Sequence, residues 1–120
     1  MQNYKDLKVW EKAHFFTLSV YQETKSFPKE ELYSLTNQLR RCASSVPANM
    51  AEGCGKNANA EFAHHLNISL SSANESEYFL ILSKDLGYLS LEKFEVLFSL
   101  INEIKGMLIS LINKVRSSIT

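Results

Sequence analysis

The sequence predicts an all-α fold, an antiparallel up-down-up-down four-helix bundle, from three observations. Apolar residues recur at three- and four-residue spacing over four long segments, which is the periodicity of a helix with one buried face. Glycine, proline and serine separate these segments. The connections are short, which places consecutive helices side by side in opposite directions. At 120 residues the chain suffices for one core, so residues 1–120 are expected to form a single domain.

The first two helices are predicted over residues 6–25 and 29–52. Asp6 is expected as the cap or first-turn acid of the first helix. Pro28 suits the first turn of the second. Pro47 lies inside the second helix, where its ring clashes with the carbonyl of Ala43 and costs roughly 3 kcal/mol. The apolar spacing resumes after Pro47, so we expect this helix to kink and continue.

The ends of the remaining helices are predicted from glycine and from capping residues. Gly53 and Gly55 are expected to stop the second helix, with left-handed backbone at its C-cap. The third helix is predicted over residues 59–86, with Asn59 as its N-cap and Gly87 after its end. Its middle carries small side chains that allow a close helix neighbour: Ser69, Ser71, Ser72, Ala73 and Ser76. Ser90 is expected to cap the fourth helix, over residues 91–117.

The fourth helix carries more apolar surface than a bundle core requires. More than half of residues 91–119 are Leu, Ile, Val, Phe or Met, and they spread beyond one stripe. A helix at the centre of a monomer would bury them all, but a four-helix bundle has no central helix. We therefore predict self-association, with Leu100 and Met107 in the subunit interface.

Composition excludes several classes of protein. Thirteen basic and thirteen acidic residues give a net charge of zero, which argues against strong non-specific attraction to nucleic acid. No apolar run approaches the ~20 residues of a membrane span, and the N-terminus lacks the apolar segment of a signal peptide. Cys42 and Cys54 form no Cys-x-x-Cys pair. We expect a cytoplasmic protein without a membrane partner.

Support for catalysis or a metal cofactor is weak. Glu11-x-x-His14 and Glu61-x-x-His64 repeat the spacing of di-iron bundles, in which Glu52 and Glu103 could complete the ligand set. However, the two motifs lie on the first and third helices, unlike the order in ferritin-like chains. No Gly-x-Ser-x-Gly elbow and no phosphate-cradling glycine loop occurs. We predict no enzymatic activity and no cofactor, with a metal-binding bundle as the less favoured alternative.

Basic residues provide the remaining candidate site. Arg40 and Arg41 lie beside the expected kink, and Lys56 follows the turn after the second helix. Lys5, Lys8 and Lys12 follow one another at three- and four-residue spacing, so they can line one face of the first helix and contact phosphates. The alternatives are that the lysines solvate an exposed face, and that the arginines pair with Glu or with carbonyls freed near Pro47.

The segment around Pro47 resembles the signature of a family of bacterial four-helix bundles encoded in intervening sequences of 23S ribosomal RNA genes. The matching residues are Arg40, Arg41, Ser45, Val46, Pro47, Asn49, Met50, Ala51, Glu52, Gly53 and Lys56. Residues 4–10 and 84–90 are also similar to the family. The resemblance covers nearly the whole chain and implies the bundle fold, whereas much of the family has no established biochemistry.

The resemblance extends to a relative, the accessory variability protein of diversity-generating retroelements. It implies a pentamer that binds nucleic acid and a reverse transcriptase through a basic surface, although the neutral balance of this chain departs from that relative. We therefore hypothesise a non-catalytic oligomeric RNA or DNA adaptor, whose binding residues are Arg40, Arg41 and Lys56, then Lys5, Lys8 and Lys12. An oligomeric scaffold for a protein partner is the alternative.

Overall fold

The computed structural model describes residues 2–119, and within that range it contains helices and no strand. The helices are α1 (Lys8–Thr24), α2 (Leu35–Cys54), α3 (Asn59–Asp85) and α4 (Leu91–Ser117), with short 3-10 turns at Tyr4–Asp6 and Lys29–Glu31. They pack in a closed ring in which α1 contacts α2 and α4, and α3 contacts α2 and α4. The predicted all-α four-helix bundle is confirmed.

Both of the first two helices begin later than the sequence predicts. Asp6 ends a 3-10 turn, and Leu7 is extended before α1 begins, so Asp6 does not cap α1. The expected first turn of α2 is a separate 3-10 turn, and α2 itself begins at Leu35. The Glu31 carboxylate accepts the Leu35 N–H (3.4 Å) and the Tyr88 hydroxyl (3.0 Å). The contact with Tyr88 comes from the α3–α4 connection, which local sequence does not show.

Gly53 and Gly55 do not have the predicted left-handed conformation. Gly53 lies inside α2, and Gly55 caps the helix with a φ of −82°. A Cβ atom on Gly53 would lie 2.9 Å from the Cβ of His65 and 3.0 Å from the ring of Phe62, both on α3. Gly53 is therefore required for the close approach of two helices. Gly87, with a φ of +81°, follows α3 as expected.

The predicted caps at Asn59 and Ser90 have different outcomes. Ser90 caps α4, because its side chain accepts the N–H of Lys93 (3.2 Å). Asn59 is the first residue of α3 and does not cap it. Its amide instead donates to the Ser118 hydroxyl (3.0 Å), beyond the far end of α4.

Helix α2 continues through Pro47, as predicted, and α1 supplies a donor near the carbonyl that proline leaves free. Proline has no N–H, so the carbonyl of Ala43 lacks its usual helical partner. The buried hydroxyl of Thr17 lies 3.1 Å from that carbonyl oxygen and 2.9 Å from the carbonyl of Ala13 in its own helix. The Ala13 carbonyl can also accept the backbone N–H of Thr17, four residues later in the helix. The Ala43 carbonyl has no such backbone donor, so it depends on the Thr17 hydroxyl.

Small polar residues of α3 pack directly against α2. Ser69, Ala73 and Ser76 are completely buried. The Ser69 hydroxyl donates to the carbonyl of Val46 (2.8 Å), which adds a bond between the two helices. The middle of α3 thus allows a close neighbour, although Ser71, also in the predicted set, is exposed. The large core side chains fill the centre of the ring: Phe16, Leu39, Met50, Leu66, Leu80, Ile101, Ile104 and Leu108.

Replacing Thr17 by Val should lower the free energy of unfolding by about 1–3 kcal/mol, because the Ala43 carbonyl loses its donor while the side-chain volume is kept. In a Pro47→Ala background the alanine N–H supplies that bond, and the same change should cost clearly less. Chemical denaturation of the four proteins in this cycle measures the difference, with Ser19→Ala on the exposed side of α1 as control. Equal costs in both backgrounds would show that Thr17 does not compensate for proline.

Replacing Gly53 by Ala should lower the free energy of unfolding by about 1–3 kcal/mol, because the added methyl group collides with His65 and Phe62. Gly106 is the matched control, since it lies in α4 with open space around its Cβ position. Gly106→Ala should raise stability by roughly 0.5–1 kcal/mol through helix propensity. Thermal unfolding of both variants tests the contrast, and a neutral Gly53→Ala would contradict close packing at this point.

Candidate functional site

The signature segment of α2 forms a polar network with α3. Ser45, Asn49 and Glu52 follow one another by four and three residues, so they lie on one helix face. The Asn49 amide donates to the carbonyl and the hydroxyl of Ser45 (both 3.0 Å), and the Ser72 hydroxyl donates to the hydroxyl of Ser45 (2.8 Å). The imidazole of His65 lies between Asn49 and Glu52. The network joins α2 to α3 along several turns.

The geometry around His65 favours a structural role over acid–base chemistry. Its Nδ1 lies 3.3 Å from the Asn49 amide oxygen, and its Nε2 lies 3.5 Å from the Glu52 carboxylate. The amide oxygen can only accept, so this contact is a hydrogen bond when Nδ1 carries the proton. Asn49 separates the imidazole from the Ser45 hydroxyl, so histidine and serine do not form a nucleophile–base pair. The network clamps two helices together.

A shallow groove of about 460 Å³ adjoins this network. Its wall includes one basic and one acidic side chain, Arg41 and Glu75, together with Cys42 and Ser45. Burial raises the pKa of the Cys42 thiol to about 11, so the thiol is protonated and weakly nucleophilic at neutral pH. The groove thus presents hydrogen-bonding groups rather than a reactive side chain.

Two of the six predicted nucleic-acid-binding residues are engaged within the bundle. Arg40 Nε donates to the Thr24 hydroxyl (2.8 Å), and its guanidinium lies 4.8 Å from the centre of the Tyr21 ring. Arg40 therefore holds the C-terminal end of α1 against α2. Lys12 forms an ion pair with Glu103 of α4 (3.3 Å). Thr17 already lies beside the carbonyl that Pro47 leaves free. Neither Arg40 nor Arg41 is therefore required to pair with it.

The other four basic residues do not share one helix face. Lys5 precedes the extended Leu7, so it does not share a continuous helix face with Lys8. Arg41 is exposed in the first half of α2, whereas Lys56 lies just beyond the other end, roughly 20 Å further along the helix axis. Arg41 is therefore remote from Lys56, whereas Lys56 lines a pocket with Gln2, three residues before Lys5.

The two Glu-x-x-His motifs point away from the bundle interior. Glu11, His14, Glu61 and His64 are all exposed. His14 stacks on Trp10, with ring centres 5.2 Å apart. In the described part of the chain, no three His, Cys, Asp or Glu side chains come together as a metal site. The proposed di-iron ligand set is therefore not formed, because the helical register directs these residues outward.

An apolar surface lies where α1 meets α4. Phe15 and Leu18 are 60% and 54% exposed, and they line a groove of about 490 Å³ with Leu100 of α4. Val96, one helical turn before Leu100, is 62% exposed. We call Phe15, Leu18, Val96 and Leu100 the α1–α4 surface. The sequence pattern of α4 predicts its excess apolar residues, but Phe15 and Leu18 of α1 are not predicted. The signal for these two is that they are apolar and fall outside the buried stripe of α1.

Met107, the second predicted interface residue, is placed differently from Leu100. It is half-buried and packs against the core of its own subunit. Leu100 is also half-buried, but it contributes to the open groove. Across residues 2–119, none of the helices is both long and apolar enough to traverse a bilayer.

Comparison with known proteins places this chain in a family. The sequence profile of the 23S rRNA-intervening sequence protein family matches residues 5–110. A comparison with curated proteins finds no match. The fold is similar to the crystal structure of a protein of unknown function from the S23 ribosomal protein family of Bacteroides thetaiotaomicron, with a TM-score of 0.81 and 30% sequence identity. The similarity covers 87% of this chain and 97% of that one. The chain therefore belongs to the 23S rRNA-intervening sequence protein family.

Proposed function

We propose that this protein is a non-catalytic homo-oligomeric adaptor whose subunits associate through the α1–α4 surface. The observation that carries the proposal is that Phe15 and Leu18, both more than half exposed, line one groove with Leu100, and that Val96, four residues before Leu100, is 62% exposed. Isolated exposed apolar residues are ordinary, but a cluster that spans two helices is typical of an interaction site. The family resemblance described above supports five subunits in a ring.

The α1–α4 surface is exposed to solvent because α1 and α4 pack against each other over a small area. The α1–α4 pair makes the smallest contact of the four neighbouring helix pairs. Two ion pairs join these helices, Lys12 with Glu103 and Lys93 with Glu23, both at 3.3 Å. Burying one large apolar side chain contributes about 1.5–3 kcal/mol, so several such side chains on each subunit provide a substantial driving force.

Replacing Leu100 or Phe15 by Glu should dissociate the assembly into folded monomers, because an unpaired charge buried in an interface costs several kcal/mol. Light scattering coupled to size-exclusion chromatography measures the mass, and circular dichroism checks the fold. Tyr78→Glu is the control, since Tyr78 is 57% exposed on α3. Met107→Glu is a poorer test because Met107, unlike Leu100, does not line the open groove.

Two results would count against this proposal. A wild-type monomer at micromolar concentration would reject self-association altogether. An unchanged mass for both Leu100→Glu and Phe15→Glu would keep self-association but move the interface to another surface.

Nucleic-acid binding is the second candidate function. Lys5, Lys8 and Arg41 are exposed, and none of them forms an ion pair with another residue in the range 2–119. A ring would repeat these cations around its circumference, so weak contacts would act together. RNA, DNA and a reverse transcriptase are the partners that the resemblance implies, and a different protein partner is the alternative.

Arg41→Ala should weaken binding to structured RNA or duplex DNA roughly tenfold, because each subunit loses a charge-assisted contact worth about 1.4 kcal/mol. Gel shifts over a salt series measure this, and affinity should fall steeply as salt rises. Arg116→Ala, on the exposed end of α4, is the control. Arg40→Ala is a less specific test of nucleic-acid binding, since it also removes the bond that joins Arg40 of α2 to Thr24 of α1.

The gel shifts test two questions separately: whether the protein binds nucleic acid, and whether Arg41 takes part in that binding. If neither nucleic acid binds at low salt, the adaptor acts on a protein partner instead. If binding occurs but Arg41→Ala matches the wild type, other cations form the contact.

A further inference from the structure

Three aromatic rings contact one another at the start of α1. The ring of Tyr4, in the first 3-10 turn, meets the indole of Trp10 edge to face, with ring centres 5.1 Å apart and an angle of 65° between the planes. The imidazole of His14 is stacked on the same indole, at 5.2 Å and 8°. We call Tyr4, Trp10 and His14 the aromatic platform. Contacts with two other rings restrict the orientation of the indole, so the platform is preformed.

The aromatic platform is accessible, and its polar atoms are unused. Tyr4 and Trp10 are half-buried and pack against the core, whereas His14 is exposed. Within residues 2–119, no hydrogen bond is made by the Tyr4 hydroxyl, the Trp10 indole N–H or the His14 imidazole. The rings therefore offer flat surface together with free donors and acceptors at their edges. A ligand that uses both is itself a flat ring with hydrogen-bonding groups on its edge.

The charges beside the platform are mixed. Lys5 Nζ lies 5.8 Å from the centre of the Tyr4 ring, and Lys5 forms no ion pair within residues 2–119. Lys56 lies at the same end of the bundle. The exposed carboxylates of Asp6 and Glu11 offset these cations. Attraction of phosphate alone is therefore weak, in line with the zero net charge of the chain, and stacking has to supply much of the affinity for a nucleotide.

From these contacts we propose that the aromatic platform binds an unpaired base of single-stranded nucleic acid. The base stacks on the exposed imidazole of His14, and Lys5 contacts a neighbouring phosphate. Every base has a π-face, so this contact tolerates different sequences, whereas a base inside a duplex is already stacked on both sides. The inference rests on the nucleic-acid binding proposed above and adds the kind of nucleic acid that is bound.

A proline-rich peptide is the other ligand that commonly packs on exposed aromatic rings. It brings no negative charge for Lys5, and its pyrrolidine rings have no hydrogen-bonding edge for the free polar atoms of the platform. A nucleotide supplies both groups. The observations therefore favour nucleic acid over such a peptide.

Trp10 is the one tryptophan of the sequence, so its fluorescence reports directly on the aromatic platform. A single-stranded oligonucleotide should quench this fluorescence. It should also bind roughly tenfold more tightly than an abasic strand of equal length, which keeps the phosphates but has no bases to stack. A duplex of the same sequence should cause little quenching. Gel shifts on the same samples measure total binding.

His14→Ala should remove most of the preference for the base-containing strand over the abasic strand, because the base loses its stacking partner. His64→Ala is the matched control, since His64 is an exposed histidine of α3 outside the platform. His14 also lines the groove of the α1–α4 surface. The two strands are therefore compared within each variant, so that a change in assembly affects both strands alike.

The outcomes separate this inference from the nucleic-acid binding on which it rests. Equal binding of the base-containing and abasic strands, or an unchanged preference in His14→Ala, overturns the role of the platform and leaves nucleic-acid binding in place. If no strand binds at low salt, both proposals fail. Quenching of Trp10 by a proline-rich peptide but not by the oligonucleotide also overturns the inference and identifies the platform as a protein-binding surface.

Discussion

The close approach of α2 to α3 is the constraint on which the rest of the structure depends. Gly53 has no room for a Cβ atom, and Ser69, Ala73 and Ser76 present small buried side chains to α2. Large side chains at these positions would push the helices apart. The short distance brings hydroxyl groups within reach of the neighbouring helix, so Ser69 donates to the carbonyl of Val46. The same helix pair then supports the network around His65.

Helix α2 tolerates Pro47 because α1 supplies a hydrogen-bond donor near the carbonyl that the proline leaves without its helical partner. One face of α2 is held by α3, and the other meets α1, where Thr17 lies beside the free carbonyl of Ala43. A buried carbonyl without a donor would offset much of the gain from packing. Thr17 and Pro47 therefore form one structural unit, although they lie thirty positions apart. Position 17 lies outside the recognisable signature, so this dependence appears only in three dimensions.

The paired arginines illustrate how adjacent residues take different roles in a helix. Successive side chains point about 100° apart, so Arg40 turns towards α1 while Arg41 remains at the surface. Arg40 anchors the end of α1 through its bond to Thr24. The bundle thus presents two separate features, an apolar α1–α4 surface and a polar groove beside Arg41.

The sequence by itself determined the number and type of the helices, the continuation through Pro47 and the turns at Gly87 and Ser90. These features depend on periodicity and on backbone conformation within a few residues. Half of the apolar surface was also predicted, from the excess of apolar residues on α4. Tertiary structure decided where α2 begins, why position 53 must be glycine, and which neighbours Arg40 and Lys12 contact. Each of these depends on which residues of another helix lie opposite, and a periodic pattern within one helix contains no such information.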